Sequence, residues 1–145
     1  IEVCNGIDDD CSGVVDDGLE LCGDCDVLRA GSTWLLCPGE LPWVEASAAC
    51  DGFGYRLATI DDAEENALLW DEVRARIPGP WWFGLNDRAS EDDWQWEIPP
   101  RGDYLNWAPN EPNDAGGEDC AAFYDEPEWN DFPCGLALPY ICEVP

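Results

Sequence analysis

The sequence predicts an α+β fold in which two helices pack on small antiparallel sheets and a long irregular loop region interrupts the strands. Two segments have helical apolar spacing, and several short apolar segments have the length of strands. Residues 86–118 combine acids, prolines and tryptophans with little regular pattern. Nine cysteines in 145 residues predict a fold that is stapled by disulfides.

Both helices are predicted in the first half of the chain. The first lies within residues 41–54, where Pro42 suits the first turn and a later glycine suits the end. The second lies within residues 61–80, where Asp61 and Glu64 have the spacing of a capping box and arginines follow late in the helix. Its predicted buried stripe consists of Leu69, Val73 and Ile77.

Short apolar segments predict the strands. They are residues 32–37, 55–60, 81–85, 120–124, 128–132 and 138–144. The segment between the third and fourth of them is too long for an ordinary connection, and such loops are usually functional.

The charge balance excludes several partners and several kinds of chemistry. Against 33 acidic residues the chain has six basic ones, all arginine, and its formal net charge is −27. Nucleic acid and anionic membrane surfaces attract basic protein surface, so neither is an expected partner. The chain has no histidine, which excludes His-dependent catalytic triads and removes the commonest zinc and copper ligand. Carboxylate and amide oxygens remain, and these suit calcium.

Cysteine usage indicates an oxidising compartment. The number of cysteines is odd, so at least one is free or paired outside the chain. Cys4–Cys11 is a possible bridge, which leaves Cys22 as the odd thiol. The sequence contains neither a signal peptide nor an apolar run that could span a membrane. We therefore interpret it as a mature or excised piece of a longer secreted or cell-surface protein.

Acidic and amide side chains cluster in the segment NEPNDAGGEDC, residues 110–120. Glu111, Asn113 and Glu118 supply oxygens there, and the sequence EWND adds Asn130 and Asp131. Like charges at this density repel unless a cation lies between them, and these oxygens are the ligands that calcium prefers.

Several motifs in this order resemble the C-type lectin domain, in its long form. They are RLATI at 56–60, WFGL at 82–85, NW at 106–107, EPN at 111–113, GEDC at 117–120, WND at 129–131 and ICE at 141–143. The resemblance implies a C-type lectin fold over residues 22–145. It also implies the disulfides Cys50–Cys142, Cys120–Cys134 and Cys25–Cys37.

The resemblance further implies two calcium ions and a sugar site. The principal calcium site, which would also bind the sugar, maps onto Glu111, Asn113, Glu118, Asn130 and Asp131, with a cis Glu111–Pro112 bond. An auxiliary site, which shares Glu118, maps onto Asp87, Glu91, Asp114 and Asp119. The order Glu-Pro-Asn resembles members that prefer equatorial 3- and 4-hydroxyls, as in mannose, glucose, N-acetylglucosamine and fucose-type sugars, and it disfavours galactose. Single-sugar binding is weak, so multivalent presentation is expected.

Residues 1–21 form a separate acidic module in this interpretation. Asp8, Asp10, Ser12 and Asp16 resemble the start of an EF-hand loop, although the closing glutamate is replaced by Leu19. The module also resembles Cys-Asn-Gly-x-Asp-Asp-Asp-Cys repeats of bacterial secreted proteins, which favours a bacterial source. A third calcium is favoured there over copper, and a solvated acidic linker is the alternative.

Two other functions stay open at this point. The domain could be an extracellular adhesion or protein-binding module whose calcium is purely structural. A glycosidase needs only two carboxylates, but the plausible pair is already assigned to metal, so we expect no enzyme activity. Trp43, Trp82, Trp96, Trp107 and Trp129 are predicted to lie in the core, whereas Trp81 and Trp94 could be either core residues or sugar-stacking surfaces.

Overall fold

The computed structural model describes residues 4–8, 11–15 and 21–145. Nine strands and two helices follow one another within these residues. The elements are β1 Leu21–Cys22, β2 Cys25–Arg29, β3 Thr33–Leu41, α1 Trp43–Gly52, β4 Arg56–Leu57, α2 Ala63–Arg76, β5 Trp81–Asn86, β6 Gln95–Trp96, β7 Cys120–Phe123, β8 Trp129–Phe132 and β9 Leu138–Glu143.

A single connected sheet joins the strands in the order β1-β2-β3-β9-β5-β7-β8, with β4 paired to β9 and β6 paired to β5. The α+β class is confirmed, but the strands form one sheet rather than separate small ones. The last strand, β9, lies in the middle, antiparallel to β3 and parallel to β5. Among the strands named here, β8 pairs with β7 alone and lies at the edge of the sheet, where its Trp129 also forms an isolated parallel bridge with Trp107.

The two helices cover opposite faces of this sheet. Trp82 of β5 belongs to one core cluster together with Trp43 of α1, whereas its neighbour Phe83 belongs to a second cluster with Leu69 of α2. Because both faces are covered, β5 is buried along nearly its whole length instead of alternating. Neither helix in the described residues combines the length and the apolar character needed to cross a bilayer.

The N-cap of helix α2 lies one residue later than the predicted one. The N-cap is Asp62, whose carboxylate accepts the Glu65 N–H at 2.9 Å, rather than Asp61. The Asp61 carboxylate instead accepts the backbone N–H of Arg101 at 2.7 Å, so it ties the loop that contains Arg101 to the start of the helix. Of the predicted stripe, Leu69 and Val73 are buried and Ile77, which ends the helix, is half-buried.

The structure joins Cys50–Cys142, Cys120–Cys134 and Cys25–Cys37, the three pairs that the family resemblance implies. The suggested Cys4–Cys11 bridge is wrong: Cys4 pairs with Cys22, and Cys11 is an exposed free thiol. Strand β1 places Cys22 in the core against β2, where Cys4 reaches it, and this pairing could not be deduced from spacing.

Glu143, at the end of β9, is a buried acid that the sequence did not single out. Its carboxylate accepts the Ser32 hydroxyl at 3.0 Å and the Thr59 N–H at 3.1 Å. Burial, with smaller contributions from the charges of Glu65 and Asp61, raises its pKa to about 7. The protonated form is therefore favoured in the folded chain below about pH 7.

We expect Glu143→Gln to stabilise the metal-free protein above pH 7. The pKa rises on folding from 4.5, so the stability due to the bound proton is complete below pH 4.5 and is lost as the pH rises through 7. The advantage of the variant over wild type, measured by urea unfolding, should grow between pH 5 and pH 8 by up to about 3 kcal/mol. Glu40→Gln controls for the loss of one charge. An advantage that does not change with pH would contradict this account.

Candidate functional site

A buried carboxylate at the end of the edge strand holds the acidic loop in place. Asp131 is fully buried on β8. It accepts the backbone N–H of Asn113 at 3.1 and 3.2 Å and that of Asp114 at 2.7 Å. Asn113 and Asp114 belong to no helix or strand. These charge-assisted hydrogen bonds therefore fix the position of their loop on the sheet.

The predicted principal ligands converge around this anchor. The Glu111–Pro112 bond is cis, as the resemblance implies. The Asn113 side-chain amide donates to Glu111 Oε1 at 3.0 Å. The Ala115 N–H lies between Asn113 Oδ1 at 2.9 Å and Glu118 Oε2 at 3.2 Å. Four of the five predicted residues are thus joined directly or through one backbone group, and Asn130 adjoins Asp131 in the strand.

Two oxygens of this group are buried without a hydrogen-bond partner in the described part of the chain. They are Glu111 Oε2 and Asn130 Oδ1. A buried polar atom without a partner costs free energy, so such atoms are rare in a native structure unless a ligand satisfies them. Their hard oxygen chemistry is that of a calcium ligand, so the residues present fit this ion.

The electrostatics of the loop also favour a cation. Burial raises the pKa of Glu111 to about 7, helped by the nearby carboxylates of Asp131 and Glu118. Burial and the charge of Asp131 also raise the pKa of Glu118. A raised pKa means that the ionised carboxylates destabilise the metal-free site, and a bound cation would reverse the sign of that interaction.

The four auxiliary residues also lie together. Carboxylate oxygens of Glu91, Asp114 and Asp119 come within 4.8 Å of one another. The Asp87 N–H donates to the Asp119 carbonyl at 3.0 Å. Asp87 is itself buried, its pKa is raised chiefly by burial, and its Oδ1 has no hydrogen-bond partner among the described residues. Like the principal group, this cluster thus contains a buried acid with a raised pKa and a buried oxygen without a partner among the described residues.

Asn66 is a structural residue behind the site that sequence reasoning missed. It is buried on α2, accepts the Trp129 indole N–H at 2.7 Å and donates to the Pro127 carbonyl at 3.0 Å. These bonds fix the start of β8, the strand that carries Asn130 and Asp131. A signal was present, because Asn66, Leu69 and Val73 share the helical spacing of one buried face.

The N-terminal residues are only partly described. The Asp8 carboxylate accepts the backbone N–H of Ser12 at 2.9 Å and that of Gly13 at 2.7 Å, so these three described residues lie close together. Asp10 and Asp16, the other two predicted ligands of this segment, lie outside the described residues.

With this geometry established, comparison with known proteins shows the family. The family model described as the lectin C-type domain matches residues 39–144. The chain therefore belongs to the C-type lectin domain family.

Two relatives show the extent of the similarity. The chain is 37% identical over 112 residues to the alpha-N-acetylgalactosamine-specific lectin of Patiria pectinifera, covering 69% of this chain and 66% of the relative. It is 34% identical over 116 residues to CD209 antigen-like protein D of Mus musculus, covering 78% of this chain and 48% of the relative. The match thus spans less than two thirds of the length of either protein.

Solved structures agree on the fold. The carbohydrate-recognition domain of the mouse scavenger receptor C-type lectin superposes with a TM-score of 0.75 at 26% identity, covering 85% of this chain and 94% of that one. The cow CD23 domain, solved in the presence of a GlcNAc2Man3 oligosaccharide, gives 0.74 at 31% identity, with 86% and 96% covered. A calcium-independent type II antifreeze protein gives 0.72 at 25% identity, with 85% and 93% covered.

We expect Asp131→Asn to lower the pKa of Glu111 in the metal-free protein. Glu111 should titrate near pH 7 in the wild type, partly because of the adjacent Asp131 carboxylate. Carbon-13 NMR of the glutamate carboxyl groups in EDTA measures the midpoint directly. Asp125→Asn removes an exposed acid from the neighbouring connection and serves as the control. Equal midpoints in the wild type and Asp131→Asn would show that Asp131 does not act on Glu111.

Proposed function

We propose that this chain is a calcium-dependent carbohydrate-binding module that acts outside the cell. The observation that carries the proposal is the pair of buried oxygens, Glu111 Oε2 and Asn130 Oδ1, that have no partner within the described residues of a C-type lectin fold. The disulfides support an oxidising location. The bacterial source stays a prediction from the N-terminal repeat.

The residues that would hold the principal ion are Glu111, Asn113, Glu118, Asn130 and Asp131. The bound ion would carry a positive charge, and two neighbouring hydroxyl oxygens of the sugar would be its ligands. The carboxylates of Glu111 and Glu118 accept hydrogen bonds from those hydroxyls, and the amides of Asn113 and Asn130 donate to them. The bond between Asn113 and Glu111 already orients both side chains before a sugar arrives.

The proposed sugar class is set by the order of acid and amide around Pro112. Glu-Pro-Asn resembles family members that bind equatorial 3- and 4-hydroxyls, so we propose mannose, glucose, N-acetylglucosamine or fucose-type ligands. The relative from Patiria pectinifera is named for N-acetylgalactosamine, so this sugar must be compared directly. Weak single-site binding makes multivalent display on the parent protein part of the proposal.

Further calcium ions and the domain division belong to the same proposal. Asp87, Glu91, Asp114 and Asp119, with Glu118 shared, would hold an auxiliary ion next to the principal one. Asp8, Asp10, Ser12 and Asp16 would hold a third ion in the module of residues 1–21, which precedes the lectin-type domain of residues 22–145.

A second candidate function is a protein-binding or adhesion domain in which calcium is structural. The observation in its favour is the fold similarity to a calcium-independent antifreeze protein, because it shows that this fold is compatible with other functions. Enzyme activity has no comparable support, because the clustered carboxylates of Glu91, Asp114 and Asp119 are assigned to metal.

We expect mannose to elute the protein from a mannan column in calcium, and galactose and N-acetylgalactosamine to fail. Replacing Glu111→Gln together with Asn113→Asp exchanges a hydrogen-bond acceptor and a donor, so it should shift the preference towards the galactose type. Elution of the wild type by all three sugars would contradict the assigned sugar class. Retention that persists in EDTA would contradict calcium-dependent binding.

We expect calcium to raise the melting temperature and EDTA to lower it. An ion that binds only the native state adds about 2.7 kcal/mol of stability at one hundred times its dissociation constant. Native mass spectrometry should count two ions on the lectin-type domain and a third on the N-terminal segment. Asp87→Asn should remove one ion, and the exposed Glu45→Gln should remove none. An absence of binding heat at millimolar calcium would contradict the metal site.

A further inference from the structure

One aromatic side chain in the described residues is largely open to solvent. Tyr124 is 47% exposed, in the connection between β7 and β8. None of the nine tryptophans, all of which lie in described residues, is exposed, and Trp81 is fully buried. The tryptophans considered from sequence as sugar surfaces are therefore less available than this tyrosine.

The Tyr124 ring is held in place by a second aromatic ring. It packs on Phe132 with 5.9 Å between ring centroids and 45° between planes. Phe132 in turn meets the buried Trp82 edge to face at 6.2 Å. A ring supported from below presents its outer surface without losing much further conformational freedom on binding.

Strand register places this pair next to the proposed sugar site. Ala122 of β7 is directly opposite Asn130 of β8, and directly opposite residues project from the same face of a sheet. Tyr124 is two residues beyond Ala122, and Phe132 is two residues beyond Asn130, so both share that face. Their rings therefore meet beside Asn130, a proposed calcium and sugar ligand.

The surroundings of Tyr124 are acidic. Asp125 and Glu126 follow it in the exposed connection, and Glu128 accepts the Tyr124 backbone N–H through its carbonyl at 3.4 Å. Carboxylates accept hydrogen bonds from hydroxyl groups and repel other anions. The chain carries a net charge of −27, which adds to the repulsion.

We propose that Tyr124, supported by Phe132, forms a second subsite that stacks on the next ring of a neutral oligosaccharide whose first ring occupies the principal site. The apolar face of a sugar ring fits an exposed aromatic face, and the outward hydroxyls would donate to the neighbouring acids. Sialylated and sulfated glycans are excluded by charge. This inference rests on the proposed lectin function and adds the length and charge of the ligand to it.

The test compares one sugar ring with three on the whole chain. Calorimetry in calcium measures the affinity of methyl α-mannoside and of a linear α-linked mannotriose for the wild type and for Tyr124→Ala. We expect the variant to bind the trisaccharide about 3- to 10-fold more weakly, the range for an aromatic contact, and the monosaccharide equally well. Tyr124→Phe should keep most of the trisaccharide affinity, and Val44→Ala, which removes an exposed apolar side chain from α1, should change neither affinity.

A measurement on the unmodified protein guards against a variant that fails to fold. Mannotriose should shift the ring-proton NMR signals of Tyr124, and methyl α-mannoside should not. The second subsite would be overturned if Tyr124→Ala bound both sugars as tightly as the wild type, or if it lost affinity for both equally. Ring signals that do not respond to mannotriose would overturn it as well. None of these outcomes would contradict the lectin function. If the wild type binds neither sugar in calcium, the proposed function fails, and the subsite fails with it.

Discussion

The hydrogen bonds between the buried Asp131 carboxylate and the N–H groups of Asn113 and Asp114 are the interaction on which the site depends. A loop with so little regular structure cannot hold a fixed shape by itself, because nothing local outweighs its conformational entropy. Asp131 supplies the missing partners, and its position is set by the tightly packed sheet. The position of the loop is therefore determined by the core, to which Trp129 is tied by its hydrogen bond to Asn66.

The same arrangement concentrates negative charge where water is scarce. Glu111 and Glu118 have raised pKa values, and Glu111 and Asn130 each keep a buried oxygen without a partner within the described chain. Folding thus brings together groups that repel one another, and the free energy comes from the apolar core rather than from the loop. The repulsion in such a site would be relieved by a compact cation, which is why it supports the proposed calcium ion.

Sequence reasoning succeeded where the determinants are local. The helices and most strands follow from spacing and composition, and the family resemblance supplied three disulfides. It failed where partners are distant in sequence. The central position of β9 and the Cys4–Cys22 bridge each depend on which segments meet in space. Asp61 has the spacing of a cap, but contact with Arg101 gives it another role.

The described N-terminal residues pack closely against the domain at Gly54. Gly54, which follows α1, has a φ of 76°, a conformation that asparagine also tolerates. A Cβ atom at this position would clash with the carbonyl oxygen of Asn5. In relatives that lack the N-terminal segment, the Asn5 carbonyl would not restrict the size of the residue at this position. In an alignment, a residue larger than glycine at position 54 should therefore mark relatives in which no N-terminal carbonyl lies where that of Asn5 lies here.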